Sequence, residues 1–306
     1  MSHHTAPHAA LRTRRSVLYM PAANERALEK AKSIPADSII FDLEDAVAPD
    51  AKESARANAC AAVASGEYGH RELTIRCNGL DTPWGTDDLS AAATSGAAAV
   101  VIPKVASVAG IDLVSSILHA AGAQESMSIW AMVETPTAIF DVRHIAAHPR
   151  VPVLVMGTND LARELRARLL PGRHPLVSHL ATALAAAREA GKVILDGVYN
   201  DVKDLDGFRA ECMQGMEMGF DGKTLIHPSQ VEIANDVWAP TDDEVAYARR
   251  VIEAFQEGLA DGRGVITVDG RMIENLHVEN ARRAIAVADA IAALTSLASI
   301  HRPGLW

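Results

Sequence analysis

The strongest constraint on the fold is a repeat of short apolar runs, each followed by a longer stretch whose apolar residues have helical spacing. The runs are uninterrupted rather than alternating with polar residues, which is typical of parallel strands buried on both faces. Eight predicted strands occupy residues 16–21, 38–43, 72–78, 98–103, 128–133, 151–157, 193–196 and 223–227. Eight strand–helix units over about 230 residues predict an α/β fold, the (β/α)₈ TIM barrel. A doubly wound open sheet is the alternative, because the first and seventh runs are weak.

The pattern changes after Ala239-Pro240. Thr241 with Glu244 three residues later is a capping-box sequence, which predicts a helix through about residue 259. A glycine-rich turn at 261–264, a short apolar run at 265–268 and a mostly helical stretch at 272–297 follow. We therefore predict a flexible tail over residues 1–13, a barrel domain over 14–240 and a small, mostly helical C-terminal lobe over 241–306.

Composition excludes several classes of protein. A net charge of −10 argues against non-specific nucleic-acid binding. Three cysteines without metal-ligand spacing favour a reducing, cytoplasmic location without a disulfide framework. The polar, histidine-rich start of the chain is unlike a secretory signal, and no apolar run approaches the ~20 residues of a membrane span.

Charged side chains follow several predicted strands, at the end of a barrel where active sites are built. Glu134 and Asp160 follow neighbouring strands, and two carboxylates with water suit Mg²⁺. Helix capping, or ion pairs with Arg163 or Lys104, would explain the same carboxylates without a metal.

Arg76 and Lys104 also lie directly at the ends of apolar strands, where an unpaired charge is costly. The planar guanidinium of Arg76 suits a substrate carboxylate. A structural ion pair between Arg76 and Glu44 or Asp45 is the alternative interpretation of the same residue.

Seven short motifs in collinear order resemble the citrate lyase β-subunit-like family, within the wider group of HpcH/HpaI aldolases and malyl-CoA lyases. The resemblance covers about residues 14–290. The motifs are RRSVLYMP (14–21), FDLEDAV (41–47) with Lys52 following, IRCNG (75–79), IPK (102–104), VETP (133–136), GTNDL (157–161) and HPSQ (227–230). The resemblance implies a TIM barrel that forms a homotrimer or homohexamer.

The same resemblance implies roles for particular residues. Glu134 and Asp160 are expected to bind Mg²⁺, with Glu44 and Asp45 reaching it through water. The expected substrate-binding residues are Arg15, Arg76, Asn78 and Glu134, and Lys104 is also expected to face the substrate or its CoA portion. The expected catalytic residues are Arg76, Lys104 and Glu274.

Glu274 marks a departure from the family pattern, since Gly270-Arg271-Met272-Ile273 is followed by glutamate where family members often have aspartate. That aspartate reaches the active site of a neighbouring subunit. Glutamate can also transfer a proton, so the resemblance implies shared active sites in an oligomer. By pattern alone, residues 272–290 are equally consistent with a helix that packs on its own barrel and leaves Glu274 solvated.

The predicted activity is Mg²⁺-dependent carbon–carbon cleavage of a 3-hydroxyacyl-CoA-type thioester, such as malyl-CoA, citramalyl-CoA or a citryl thioester, giving an acyl-CoA and a 2-oxo acid. Thioester hydrolysis, or malate-synthase-like condensation, at the same site is the first alternative. The thioester could also be carried by a protein instead of free CoA. A non-catalytic barrel that binds acyl-CoA as a regulator is the alternative of another class.

Overall fold

The computed structural model describes residues 12–300, with side chains through residue 294. The tail predicted over residues 1–13 therefore lies almost wholly outside the described residues. The chain divides into two compact units, one of residues 14–238 and one that contains the residues from Ala239 onward. Within residues 12–300, none of the helices combines the length and apolar character needed to cross a membrane.

The first unit is a closed barrel of eight parallel strands in sequence order, with β8 pairing β1. This confirms the predicted TIM barrel and excludes the open sheet. The strands are β1 (Ser16–Pro21), β2 (Ser38–Asp42), β3 (Glu72–Arg76), β4 (Ala99–Ile102), β5 (Ser128–Val133), β6 (Val153–Met156), β7 (Val193–Asp196) and β8 (Gly222–Leu225).

Helices follow each strand and surround the barrel. Several begin at a side-chain cap, as at Asn24, Ser107, Thr135 and Asp204, where the side-chain oxygen accepts a backbone N–H that would otherwise lack a partner. The helices are α1 (Glu25–Ala31), α2 (Lys52–Ala64), α3 (Gly85–Ala93), α4 (Val108–Ala120), α5 (Pro136–Ala147), α6 (Thr158–Leu165), α7 (Val177–Glu189), α8 (Leu205–Met218) and α9 (Val231–Val237).

Apolar residues of most strands divide between two cores, because successive side chains point to opposite faces. On β1, Leu18 and Met20 pack in the large cluster that includes helix residues, whereas Val17 and Tyr19 belong to a smaller cluster formed by strand residues. The smaller cluster fills the barrel interior and includes Trp130, which is fully buried. The barrel is thus a packed support beneath the carboxyl ends of its strands.

The second unit contains α10 (Asp242–Ala260), an antiparallel hairpin of β9 (Ile266–Val268) and β10 (Arg271–Ile273), and α11 (Asn275–Ile300). Thr241 and Glu244 form the predicted capping box. The prediction of helix from residue 272 was wrong at its start. Asp269 and Gly270 have φ of 50° and 78°, the turn geometry that joins two hairpin strands, so residues 271–273 continue as a strand.

Candidate active site

The carboxyl ends of β2 to β6 bring five charged side chains to one end of the barrel: Asp42, Arg76, Lys104, Glu134 and Asp160. All of them end a strand or follow one within four residues. In a closed parallel barrel such positions converge on the mouth. The charged groups therefore form one electrostatic site.

Arg76 is held by an acidic neighbour on the adjacent strand. Asp42 and Arg76 are register partners on β2 and β3, and Nε and Nη2 of Arg76 donate to the two oxygens of Asp42 at 2.6 and 2.7 Å. The guanidinium carbon also lies 4.9 Å from the ring centroid of Tyr19. One edge of the guanidinium is thus committed to the protein, which leaves Nη1 for other partners.

Glu44 bridges the two cations of the site. Its carboxylate oxygens lie 2.7 Å from Arg76 Nη1 and 2.8 Å from Lys104 Nζ. Asp45 Oδ2 is 3.5 Å from the same Arg76 nitrogen. The ion pairing weighed from the sequence for Arg76 is therefore present in the structure, and it extends to Lys104.

Glu134 is a buried carboxylate, with only 1% of its surface exposed. Its Oε1 accepts the backbone N–H of Lys104 at 2.7 Å, at a residue whose φ is 50°. Burial, together with the charges of Glu44 and Asp160, raises the pKa of Glu134 to about 7, although the Lys104 N–H and the charge of Arg76 act in the opposite direction. Ionising Glu134 is therefore costly, chiefly because the carboxyl group is buried.

Gly157 gives Glu134 its place. A Cβ at residue 157 would lie 2.2 Å from Glu134 Oε2, far inside van der Waals contact. Only glycine lets the backbone before α6 pass this close to the carboxylate.

Asp160 lies in the first turn of α6 and pairs with Arg163 Nη2 at 2.7 Å, which is the alternative weighed from the sequence. Among the described residues, no three His, Cys, Asp or Glu side chains gather as a metal-binding group. Two carboxylates still fit Mg²⁺, which keeps several waters, and a nearby dication would favour the ionised form of the buried Glu134. Glu134 and Asp160 are thus chemically suited to Mg²⁺.

Two predicted substrate-binding residues are not brought to the open site. Arg15 precedes β1 and pairs with Asp37, which precedes β2, at 2.8 Å, so it lies at the opposite end of the barrel. Asn78 is buried, and its amide is used by Lys52, Leu43 and Asp88. Both side chains are paired within the protein, and their role in substrate binding stays a prediction.

A cavity of about 260 Å³ lies beside Lys104, between the segments that follow β3 and β4 and helix α4. Its lining is largely apolar and includes Leu80, Ile102, Ile111 and Val114. The cavity therefore offers an apolar surface next to a half-exposed ammonium group.

Glu274 belongs to the second unit. It follows β10, its N–H donates to His277 Nδ1 at 3.0 Å, and its carbonyl accepts the N–H of His277 at 3.0 Å as α11 begins. Its predicted role in the site of a neighbouring subunit stays a prediction.

Sequence reasoning assigned no role to Asp42, Lys52 or Tyr19. Asp42 had a usable signal, because a carboxylate at the end of a wholly apolar strand needs a cationic partner. Lys52, which begins α2, entered the sequence analysis only as the residue that follows the FDLEDAV motif. Tyr19 entered it only as part of the RRSVLYMP motif.

The fold and the charged cluster define a TIM-barrel protein with a mixed carboxylate and cation site at the carboxyl ends of its strands. Residues 15–228 match the HpcH/HpaI aldolase/citrate lyase family, and the chain belongs to that family. This confirms the resemblance found in the sequence motifs.

The chain is similar to named relatives over nearly its whole length. It is 50% identical over 279 residues to a (3S)-malyl-CoA thioesterase of Cereibacter sphaeroides, covering 91% of this chain and 96% of the relative. It is 36% identical over 284 residues to the citrate lyase subunit beta of Escherichia coli, covering 91% and 94%.

A solved structure extends the comparison. CitE of Mycobacterium tuberculosis, in complex with magnesium, acetoacetate and coenzyme A, has a TM-score of 0.75 and 28% identity, covering 91% of this chain and 100% of that one.

Proposed function

We propose that this protein is a Mg²⁺-dependent thioesterase that hydrolyses a (3S)-malyl-CoA-type thioester to the free hydroxy acid and CoA. The observation that carries the proposal is the 50% identity to a (3S)-malyl-CoA thioesterase, spread over 96% of that relative. The sequence analysis placed carbon–carbon cleavage first and hydrolysis second. The comparison favours the reverse order.

In this proposal Glu134 and Asp160 would hold Mg²⁺, which would favour the ionised form of the buried Glu134. The ion would act as a Lewis acid toward substrate oxygens. Glu44 and Asp45 would contact it through water. The magnesium-bound structure of the M. tuberculosis relative supports the choice of ion.

Arg76 and Lys104 supply the cationic side of the site. Asp42 fixes the plane of the guanidinium, so Nη1 of Arg76 keeps one orientation, in which a substrate carboxylate would share or replace its contact with Glu44. Lys104 lies between Glu44 and the apolar cavity, where its ammonium group can meet an anionic or carbonyl oxygen of the ligand. The cavity itself suits an apolar portion of a thioester arm.

Hydrolysis also needs a group that moves a proton to or from water. We assign this role to Glu274, delivered by the second unit of a neighbouring subunit in a homotrimer or homohexamer. The assignment rests on the family pattern at residues 270–274.

The experiment that tests the proposal follows two products separately. Purified protein is incubated with malyl-CoA and Mg²⁺, then assayed for free thiol and for 2-oxo acid. Thiol release with malate, abolished by EDTA, is expected.

Carbon–carbon cleavage is the second candidate, favoured by the 36% identity to a citrate lyase subunit beta. It predicts glyoxylate and acetyl-CoA in equal amounts, without free thiol. If neither set of products forms and calorimetry shows tight acyl-CoA binding, the protein is instead a non-catalytic acyl-CoA-binding barrel.

A further inference from the structure

Lys52 carries a buried ammonium group directly beneath the charged site. Its Nζ donates three hydrogen bonds, to the carbonyl oxygens of Leu43 and Glu44 at 2.7 Å each and to Asn78 Oδ1 at 2.8 Å. Three donors are all that an ammonium group has, so Lys52 is fully satisfied. The residue is 6% exposed.

The partners of Lys52 are unusual for a buried charge. In the described part of the chain, no carboxylate lies within ion-pair distance of it, and the ring centroid of Trp84 lies 5.2 Å from Nζ. Burial lowers the pKa of Lys52, although the charges of Asp42, Asp88, Glu44 and Asp45 raise it from further away. Removing an ammonium group from water without a paired carboxylate is costly, so the contacts that it makes in return are informative.

Those contacts hold one side of the loop that contains Glu44 (residues 43–48). Asp42 holds the other side. Asp42 accepts the N–H of Glu44 at 2.9 Å and the N–H of Ala46 at 3.2 Å. Lys52 holds the carbonyls of Leu43 and Glu44. The backbone on either side of the Glu44 side chain is therefore tied by a carboxylate acceptor and an ammonium donor.

This loop sets the charge balance of the site. Glu44 bridges Arg76 and Lys104, so a shift of its backbone changes its ion pairs with both cations. We infer that Lys52 is a positioning residue that acts through the Glu44 loop to hold the Glu44 carboxylate between Arg76 and Lys104. The inference rests on the proposed function for its kinetic readout, but its structural readout does not.

Lys52→Met keeps a side chain of similar length and removes the three N–H donors of the ammonium group. Because Lys52 acts through Glu44, kcat/KM for malyl-CoA should fall roughly 10- to 100-fold, the size of loss that small misplacements cause. Glu44→Gln should produce a similar loss. The double variant should fall no further than the worse single variant, since both changes break one chain of contacts. Losses that multiply would overturn the inference.

Hydrogen exchange supplies a readout that is independent of catalysis. The N–H groups of Glu44, Ala46 and Val47 are bonded within this loop. In Lys52→Met, exchange of a peptide covering residues 43–48 should speed up at least about tenfold, while exchange in β5 and β6 stays unchanged. Unchanged exchange in the loop would refute the positioning role even if the enzyme proves to have another activity.

Lys192→Met is the matched control. Lys192 also has its pKa lowered by burial and donates to a backbone carbonyl, that of His148 at 3.2 Å, but it precedes β7 at the other end of the barrel. It should leave the 43–48 peptide and kcat/KM unchanged. If Lys52→Met does not fold, Asn78→Ala removes one acceptor of Lys52 and one donor to Leu43, and the same two outcomes decide the inference. An active wild type with no loop effect defeats only this inference, whereas a loop effect without thioesterase turnover defeats only the proposed function.

Discussion

Glu134→Gln tests the electrostatics of the site through stability. Burial raises the pKa of Glu134 from its ordinary 4.5 to about 7. Between these values the folded protein keeps a proton that the unfolded chain has lost, so stability falls as pH rises. Each pKa unit corresponds to about 1.4 kcal/mol, and the full cost above neutral pH is about 3 kcal/mol. Glutamine fills nearly the same volume, still accepts the Lys104 N–H and never ionises, so the variant escapes this cost.

The assay is urea unfolding of both proteins in EDTA at one protein concentration, at about pH 5 and about pH 8. The variant should gain about 2.5 kcal/mol over the wild type between the two pH values, since a small part of the cost is already present at pH 5. Mg²⁺ added at the higher pH, at a hundred times its Kd, should raise the free energy of unfolding of the wild type by about 2.7 kcal/mol. The free energy of unfolding of the variant should not change. If the stability of the two proteins changes in parallel with pH, the argument that Glu134 is an ionisable metal ligand with a raised pKa is refuted.

Three further changes test other contacts. Gly157→Ala places a methyl group against Glu134 Oε2, so calorimetry should show Mg²⁺ affinity lowered at least about tenfold with about 1–3 kcal/mol lost from stability; unaltered affinity would contradict the close approach. Arg76→Lys loses the two-point contact with Asp42, so kcat/KM should fall by an amount that corresponds to at least about 2–3 kcal/mol of transition-state stabilisation. Near-wild-type kinetics would disprove the substrate-binding role of Arg76. Mixing inactive Glu274→Gln and Glu134→Ala subunits should restore part of the activity if sites are shared; mixed oligomers, verified by mass, that stay inactive would exclude sharing.

The sequence by itself determined the architecture. Eight uninterrupted apolar runs, each followed by a helical pattern, predicted the closed barrel, and β1, β5 and β7 have the predicted bounds. These features are local, because strand burial and helical spacing leave their period in neighbouring residues. The same logic placed Arg76, Lys104, Glu134 and Asp160 at one end of the barrel, since parallel strands end on one side.

Short-range pattern was less reliable where turn geometry decided the outcome. The sequence around Met272 reads as part of a helix. The positive φ values at Asp269 and Gly270 direct the chain back on itself, and residues 271–273 pair with β9 instead.

Only the tertiary structure decided which charges meet. Register between β2 and β3 sets Asp42 beside Arg76, and loop geometry sets Glu44 between Arg76 and Lys104. Lys52 had no role predicted from the sequence, yet it is buried and donates to the Glu44 carbonyl. Arg15 lies beside a motif strand but at the wrong end of it. Such pairings join atoms distant in sequence, and they depend on ångström-scale approach and burial, for which linear spacing carries no signal.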